Sequence, residues 1–221
     1  MGIDYTKRPS SEPTPAAAPV SLSKVTLTKA APTVSLTKQS GTTGLMRVNL
    51  NWNSGQGRGF FHKSQAIDLD LGCLYEFVDG AKGVVQALGN TFAATARGAN
   101  GPTIRLDGDD RSGSNSDGEN LFIDLGQTAL IKRIMVFALI YEGAANWAAA
   151  NGVVTLLPVN GPQVEVQLDE PRDGARICGV ALLENVGGEL VVRREVNYID
   201  GAQRALDAAY GWGMNWQAGR K

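Results

Sequence analysis

A chain of 221 residues, 43% of them hydrophobic, carries 21 Lys and Arg against 22 Asp and Glu, for a formal net charge of -1. That length buries one sizeable core, and scattered charge with no basic block between aromatics argues against nucleic acid as a partner. No apolar run approaches the span of a bilayer and residues 1–19 lack the apolar core of a signal peptide, so a cytosolic setting is expected, with Cys73 and Cys178 as buried, reduced thiols in apolar stretches.

Residues 1–19 are rich in Pro, Ala, Ser and Thr with almost no large apolar side chain. Such a segment cannot offset the entropy of ordering, which predicts a disordered tail ahead of one folded domain over residues 20–221. A short pattern then occurs three times, as Val20-Ser-Leu-Ser-Lys24, Val25-Thr-Leu-Thr-Lys29 and Val34-Ser-Leu-Thr-Lys38. Each copy alternates apolar and polar residues and ends in a Lys that discourages unwanted pairing, so the repeat reads as edge strands. A copy not used at home could add to a neighbour's sheet and make a homo-oligomer, while local pairing loses less chain entropy.

Downstream, β-type runs are predicted at Leu45 to Trp52, Ala66 to Phe77, Gly83 to Leu88, Thr103 to Leu106, Asn120 to Leu125, Ile131 to Ile140, Gly152 to Pro158, Gln163 to Leu168, Arg176 to Glu184 and Glu189 to Val196. Gly, Asn, Asp and Pro separate most of them. Many short strands at regular spacing predict an all-β, two-sheet β-sandwich with its loops gathered at the ends. Short helices are predicted at Gly143 to Ala150 and at Gly201 to Tyr210, the second with Asp200 as N-cap.

Between Asp107 and Asn120 the sequence is Asp-Gly-Asp-Asp-Arg-Ser-Gly-Ser-Asn-Ser-Asp-Gly-Glu-Asn, rich in oxygen donors and hinged by glycine. Ca²⁺ takes six to eight oxygen ligands, and glycines let a loop curl until several converge. Upstream, Asp68 and Asp70 alternate with Ile67, Leu69 and Leu71, so a strand presents both carboxylates on one face, where they repel unless a cation lies between them. The loop is not an EF-hand, because no register places acids or amides at positions 1, 3 and 5 with Gly at 6 and Glu at 12. A solvated turn that binds nothing is the alternative; the second acidic grouping favours the metal. Mg²⁺ fits less well, since it keeps most of its waters. The candidate ligands are Asp68, Asp70, Asp107, Asp109, Asp110, Ser112, Asp117 and Glu119.

Catalytic signals are thin. His62 is the sole histidine and reads as a surface residue, and Gly55-Gln-Gly-Arg-Gly59 is neither a P-loop nor a dinucleotide turn. Trp212 and Trp216, in Tyr210-Gly-Trp-Gly-Met-Asn-Trp216, are expected to cap one end of the sandwich core, with a partner-docking anchor as the rival reading.

As a set, Val48-Asn-Leu-Asn-Trp52, Asp68-Leu-Asp70, Gly108-Asp-Asp-Arg-Ser-Gly113 and Glu119-Asn-Leu-Phe-Ile-Asp124, with the Val-Ser-Leu-x-Lys repeats, resemble the TerD-domain family of tellurium-resistance and stress proteins. Asp68-Leu-Asp-Leu-Gly-Cys-Leu74, Gly83-Val-Val-Gln-Ala-Leu-Gly89, Ile140-Tyr-Glu-Gly143 and Tyr210-Gly-Trp-Gly213 are most similar to its TerA branch. The resemblance implies a non-enzymatic calcium-binding sandwich, a scaffold or sensor in bacterial tellurite resistance and stress response. It also implies a cytoplasmic place, peripheral at the inner face of the membrane, with other tellurium-resistance proteins as partners, among them soluble TerB-type and membrane-embedded TerC-type proteins. The family's paired strand acids fall on Asp68 and Asp70, and its Gly-Asp-Asn-Arg-Thr-Gly element puts its acid on Asp109, with Asp110 in the Asn place and Ser112 in the Thr place. Ser114 to Asn120 holds fewer carboxylates than the family's later run, which favours one calcium ion over two. A metal-dependent hydrolase and a calcium-dependent membrane-surface module are the rival classes, separated by phosphoester turnover and by binding to anionic vesicles.

Overall fold

The computed structural model describes residues 24–36, 44–53, 67–107, 118–143, 145–172 and 174–216. The predicted tail over 1–19 and the first repeat up to Ser23 lie outside them, as do His62, Gly55 to Gly59, Asp109, Asp110, Ser112 and Asp117.

Two sheets form a sandwich, with strands numbered in chain order. From edge to edge the first sheet runs β1 (Lys24–Thr26), β11 (Gln163–Leu168), β10 (Gly152–Leu157), β3 (Leu45–Asn51), β8 (Glu119–Asp124), β7 (Ile104–Leu106) and β6 (Ala93–Ala94). The second runs β2 (Thr33–Ser35), β13 (Glu189–Ile199), β12 (Ile177–Val186), β9 (Ile131–Glu142), β4 (Asp68–Phe77) and β5 (Lys82–Val85). The alternation read from sequence sets the inner face of the first sheet: Met46, Val48 and Leu50 of β3, Leu121 and Ile123 of β8, and Val154 and Leu156 of β10 are all fully buried. They meet Leu69, Leu71, Ile134, Val136, Ala138 and Val180 of the second sheet in one core.

Repeat copies two and three do become edge strands, one on each sheet. β1 pairs parallel with β11 and β2 antiparallel with β13. The lysines that end copies one and two act as fasteners as well as edge guards, Lys24 Nζ lying 2.6 Å from Glu165 and Lys29 Nζ 3.0 Å from Glu170.

The second sheet is covered on both faces, and this corrects the expected position of the C-terminal aromatics. Met135, Phe137 and Leu139 of β9, with Leu74, Ile177 and Leu182, point away from the sandwich core into a second cluster with Leu206 and Trp212. The helix α2 (Gln203–Tyr210) and the chain after it lie over this outer face, so Trp212 closes a third layer where a cap on the end of the core was expected. The reason is legible in retrospect: Ile134 to Ile140 is apolar without alternation, the signature of a strand buried on both sides.

Local signals decided the helices less well. The N-cap of α2 is Ala202, not Asp200, and it makes no side-chain capping bond. The earlier helix, α1 (Trp147–Ala150), is shorter than predicted because Asn146 caps it through its Oδ1, which accepts from Ala149 N at 2.9 Å. Cys73 and Cys178 are free and buried. Burial pushes the Cys73 thiol up to about 12 despite a hydrogen bond with the backbone of Val85, and burial likewise raises Cys178, so neither is poised as a nucleophile. Among the described residues no helix is long and apolar enough to cross a membrane.

Candidate metal centre

β4 and β8 lie in different sheets and begin where two long connections, residues 54–66 and 108–117, enter the sandwich. The N-terminal half of β4 reaches past the end of β5, which pairs only with Cys73 to Glu76. Its backbone at residue 71 is therefore open to the other sheet, and Leu71 N donates to Glu119 Oε2 at 2.6 Å. This bond joins the first residue of β8 to the residue after Asp70. Asp68, Asp70 and Glu119 are 7%, 3% and 3% exposed, values far from those of solubilising surface acids.

Local features of the chain set where these acids lie. Opposite Asp68 and Leu69 the register of β4 on β9 shifts, because Asp68 faces Glu142 and Leu69 faces Ile140. The extra residue, Tyr141, makes a bulge that re-aims the start of β4. On the β8 side Gly118 has φ +61°, and a Cβ there would sit 2.1 Å from the carbonyl oxygen of Leu50. Only glycine lets the chain turn this close to β3 and deliver Glu119 inward. Asn49 steadies the same corner, its Nδ2 donating to Asn120 Oδ1 at 3.0 Å.

Of the predicted set, Asp68, Asp70 and Glu119 are buried, and Glu119 reaches the backbone of β4 one residue after Asp70. Asp107, at the end of β7, has an exposed carboxylate 3.7 Å from Arg105 Nη1, while its backbone N donates to Asn120 O at 2.9 Å. Asp109, Asp110, Ser112 and Asp117 fall in the part of the acidic loop outside the described residues. Among the described residues no group of three or more His, Cys, Asp or Glu side chains is arranged as a ligand set for a metal. The donor chemistry present is nonetheless hard-cation chemistry: carboxylates, with amides nearby.

At the other end of β4, Glu76 is buried in a different setting. Lys132 Nζ and Arg133 Nε each lie 2.7 Å from its carboxylate, with Lys82 Nζ at 3.7 Å. Burial pushes the Glu76 pKa upward, but hydrogen bonds from Lys132 and Arg133 and their charges outweigh it and hold the group below its ordinary value. Sequence reading missed this cluster, whose signal is an acid on an apolar strand with basic residues one partner strand away.

No family model matches this chain. It is 42% identical over 207 residues to the tellurium resistance protein TerA of an Alcaligenes species, an alignment covering 91% of this chain and 60% of that protein. The chain thus spans about three-fifths of that relative's length. The fold is similar to the crystal structure of SAV2460, a protein of unknown function, with a TM-score of 0.56 and 16% identity over 79% of this chain and 99% of that one. It is also similar, with a TM-score of 0.49 and 19% identity over 75% of this chain and 95% of that one, to SCO6318 of Streptomyces coelicolor A3(2), described as a homologue of the telluride resistance protein TerD.

Proposed function

We propose that this chain, 42% identical over 207 residues to a tellurium resistance protein TerA, serves tellurite resistance as a calcium-binding scaffold or sensor. The observation that carries the calcium reading is the burial of Asp68, Asp70 and Glu119 at the junction of β4 and β8, where the oxygen-rich loop enters the sandwich. Gathering carboxylates away from water is costly, and a divalent cation offsets that cost. Asp68, Asp70 and Glu119 would hold the ion together with oxygens of the acidic loop, from Asp107, Asp109, Asp110, Ser112 and Asp117. The ion supplies charge and cross-linking, joining the two sheets and ordering the loop end that partners read.

No reaction is assigned. The reading places the protein in the cytoplasm, in assemblies with other tellurium-resistance proteins that include a membrane-embedded TerC-type partner. The relative's name supports this role, and the acidic junction supplies what such partners could sense.

Calorimetric titration with Ca²⁺, paired with melting curves in Ca²⁺ and in chelator, tests the proposal. A ligand bound only by the folded state stabilises it by about 2.7 kcal/mol at a hundredfold excess over Kd. The combined Asp68→Asn and Asp70→Asn variant should lose most of that gain. An unchanged melting temperature of the parent in millimolar Ca²⁺ would sink the calcium reading. Pull-downs from a native host in Ca²⁺ and in chelator test the scaffold: recovery of resistance proteins that is indifferent to chelator would make the ion purely structural.

A further inference from the structure

A cavity of about 760 Å³ opens on the outer face of the second sheet, between β5, the turn after it, the start of α2 and residues 213–216. That volume lies within the roughly 300–1,000 Å³ of small-molecule sites. Val84, Leu88, Met214 and Trp216 give it apolar surface, while its charged lining residues, Lys82 and Arg204, are both cations. No acid is among the described residues that line it.

The walls are fixed before any ligand arrives. Trp216 Nε1 donates to Asp207 Oδ2 at 2.6 Å, and Lys82 Nζ donates to Trp212 O at 2.8 Å. Gln203 and Gln86, both buried, are joined amide to amide at 2.7 Å, and Gln86 Nε2 also donates to Leu88 O at 2.8 Å. The uncapped start of α2 adds to the positive field. Ala202 has the extended backbone of an N-cap but no side-chain acceptor, so the first-turn N–H groups receive no side-chain cap where Ala202, Gln203 and Arg204 line the cavity.

We propose that this cavity binds a small organic anion, with an aromatic or apolar body against Trp216, Met214 and Leu88 and an acidic head toward Lys82, Arg204 and the first turn of α2. The site shares no lining residue with the acidic junction and does not depend on calcium.

Two fluorescent probes that differ in charge test it: anilinonaphthalene sulfonate and its uncharged counterpart phenylnaphthylamine, titrated in chelator. The sulfonate should bind saturably at one per chain, about tenfold or more tighter than the neutral probe. Arg204→Glu should weaken the sulfonate roughly fivefold or more and leave the neutral probe nearly unchanged. Ala202→Asp separates binding from folding. An acid at the N-cap should raise the melting temperature by capping α2 and at the same time weaken the sulfonate, whereas damage to the fold would lower both. Equal affinity for the two probes, several sulfonates per chain, or variants that leave sulfonate affinity unchanged would each overturn the proposal.

Discussion

At its C-terminal end β4 buries Glu76 against Lys132 and Arg133, each at 2.7 Å; at its N-terminal end the same strand buries Asp68 and Asp70, and the Leu71 amide next to them donates to the buried Glu119 of the other sheet. The fold neutralises Glu76 with its own cations and then uses them again. Arg133 stacks over the Trp212 ring at 3.8 Å and donates to the carbonyls of Tyr210 at 3.2 Å and Gly211 at 3.3 Å, so one buried acid pins the outer layer to the sheet. At the other end the acids are buried, and a backbone amide of β4 holds one of them, Glu119, in place. One arrangement is a finished structural lock, and the other is the one we propose for a cation from solution.

The strongest way to break that contrast is Arg133→Met. It removes the guanidinium side of the lock and leaves Glu76 to Lys132, whose side chain is 58% exposed, and to Lys82 at 3.7 Å. Removing one partner of a buried ion pair costs about 3 kcal/mol or somewhat more, so urea denaturation should show a loss near 3 kcal/mol that is the same in Ca²⁺ and in chelator. A loss under about 1 kcal/mol would mean that the outer layer is held by packing alone.

Next in size is Gly118→Ala. The added Cβ meets the Leu50 carbonyl in a left-handed backbone that alanine disfavours, and about 2 kcal/mol of stability should be lost. Because Gly118 also aims Glu119, calcium affinity should fall in the same variant, measured by calorimetry. Stability lost with affinity intact would separate Glu119 from the ion.

Glu119→Gln is smaller still. The amide oxygen can keep the bond from Leu71 N, so stability in chelator should change by about 1 kcal/mol or less, while the calcium-dependent gain is lost. Retained calcium stabilisation would confine the ligands to the Asp68 side and the loop.

The smallest effect sharpens the structural end through pH. Glu76 and Asp207 both titrate below their ordinary values of 4.5 and 3.8. For Asp207, burial raises the pKa, but hydrogen bonds from Trp216, Met214 N and Gly213 N, with the Lys82 charge, bring it down. Depressed folded values mean stability that is fully present above the unfolded values and lost as pH falls through the folded ones. Glu76→Gln should therefore flatten the decline of stability between about pH 5 and pH 2, followed by melting temperature in chelator. An acid limb unchanged in that variant would show that Asp207 and other carboxylates carry it.

Most of the strand layout was legible because alternation and turn residues are local signals. β3, β10 and β11 follow the predicted runs closely, and the second and third repeat copies were correctly read as edges. Two local features were too short to read: β6, two residues long, and the 3₁₀ helix Leu125–Leu130, whose start depends on Asp124 Oδ1 accepting from Gly126 N at 2.9 Å. The candidate site was half legible. Asp-Leu-Asp and the acidic loop announce themselves in sequence, but which acid meets β4 does not follow from spacing, because Glu119 reaches the Leu71 amide from the other sheet.

What the sequence by itself determined is therefore the kind of chain: alternating strands that must bury one face, and an oxygen-rich loop whose chemistry suits a hard cation. What only the tertiary structure decided is how those faces are used. Placing α2 and Trp212 over the second sheet turned a two-layer sandwich into three layers there, and it made the cavity beside β5. Ending β5 opposite Cys73 left the Leu71 amide open for Glu119. Both outcomes depend on contacts between residues more than forty positions apart, and local pattern carries no information about such pairs until the chain has closed on itself.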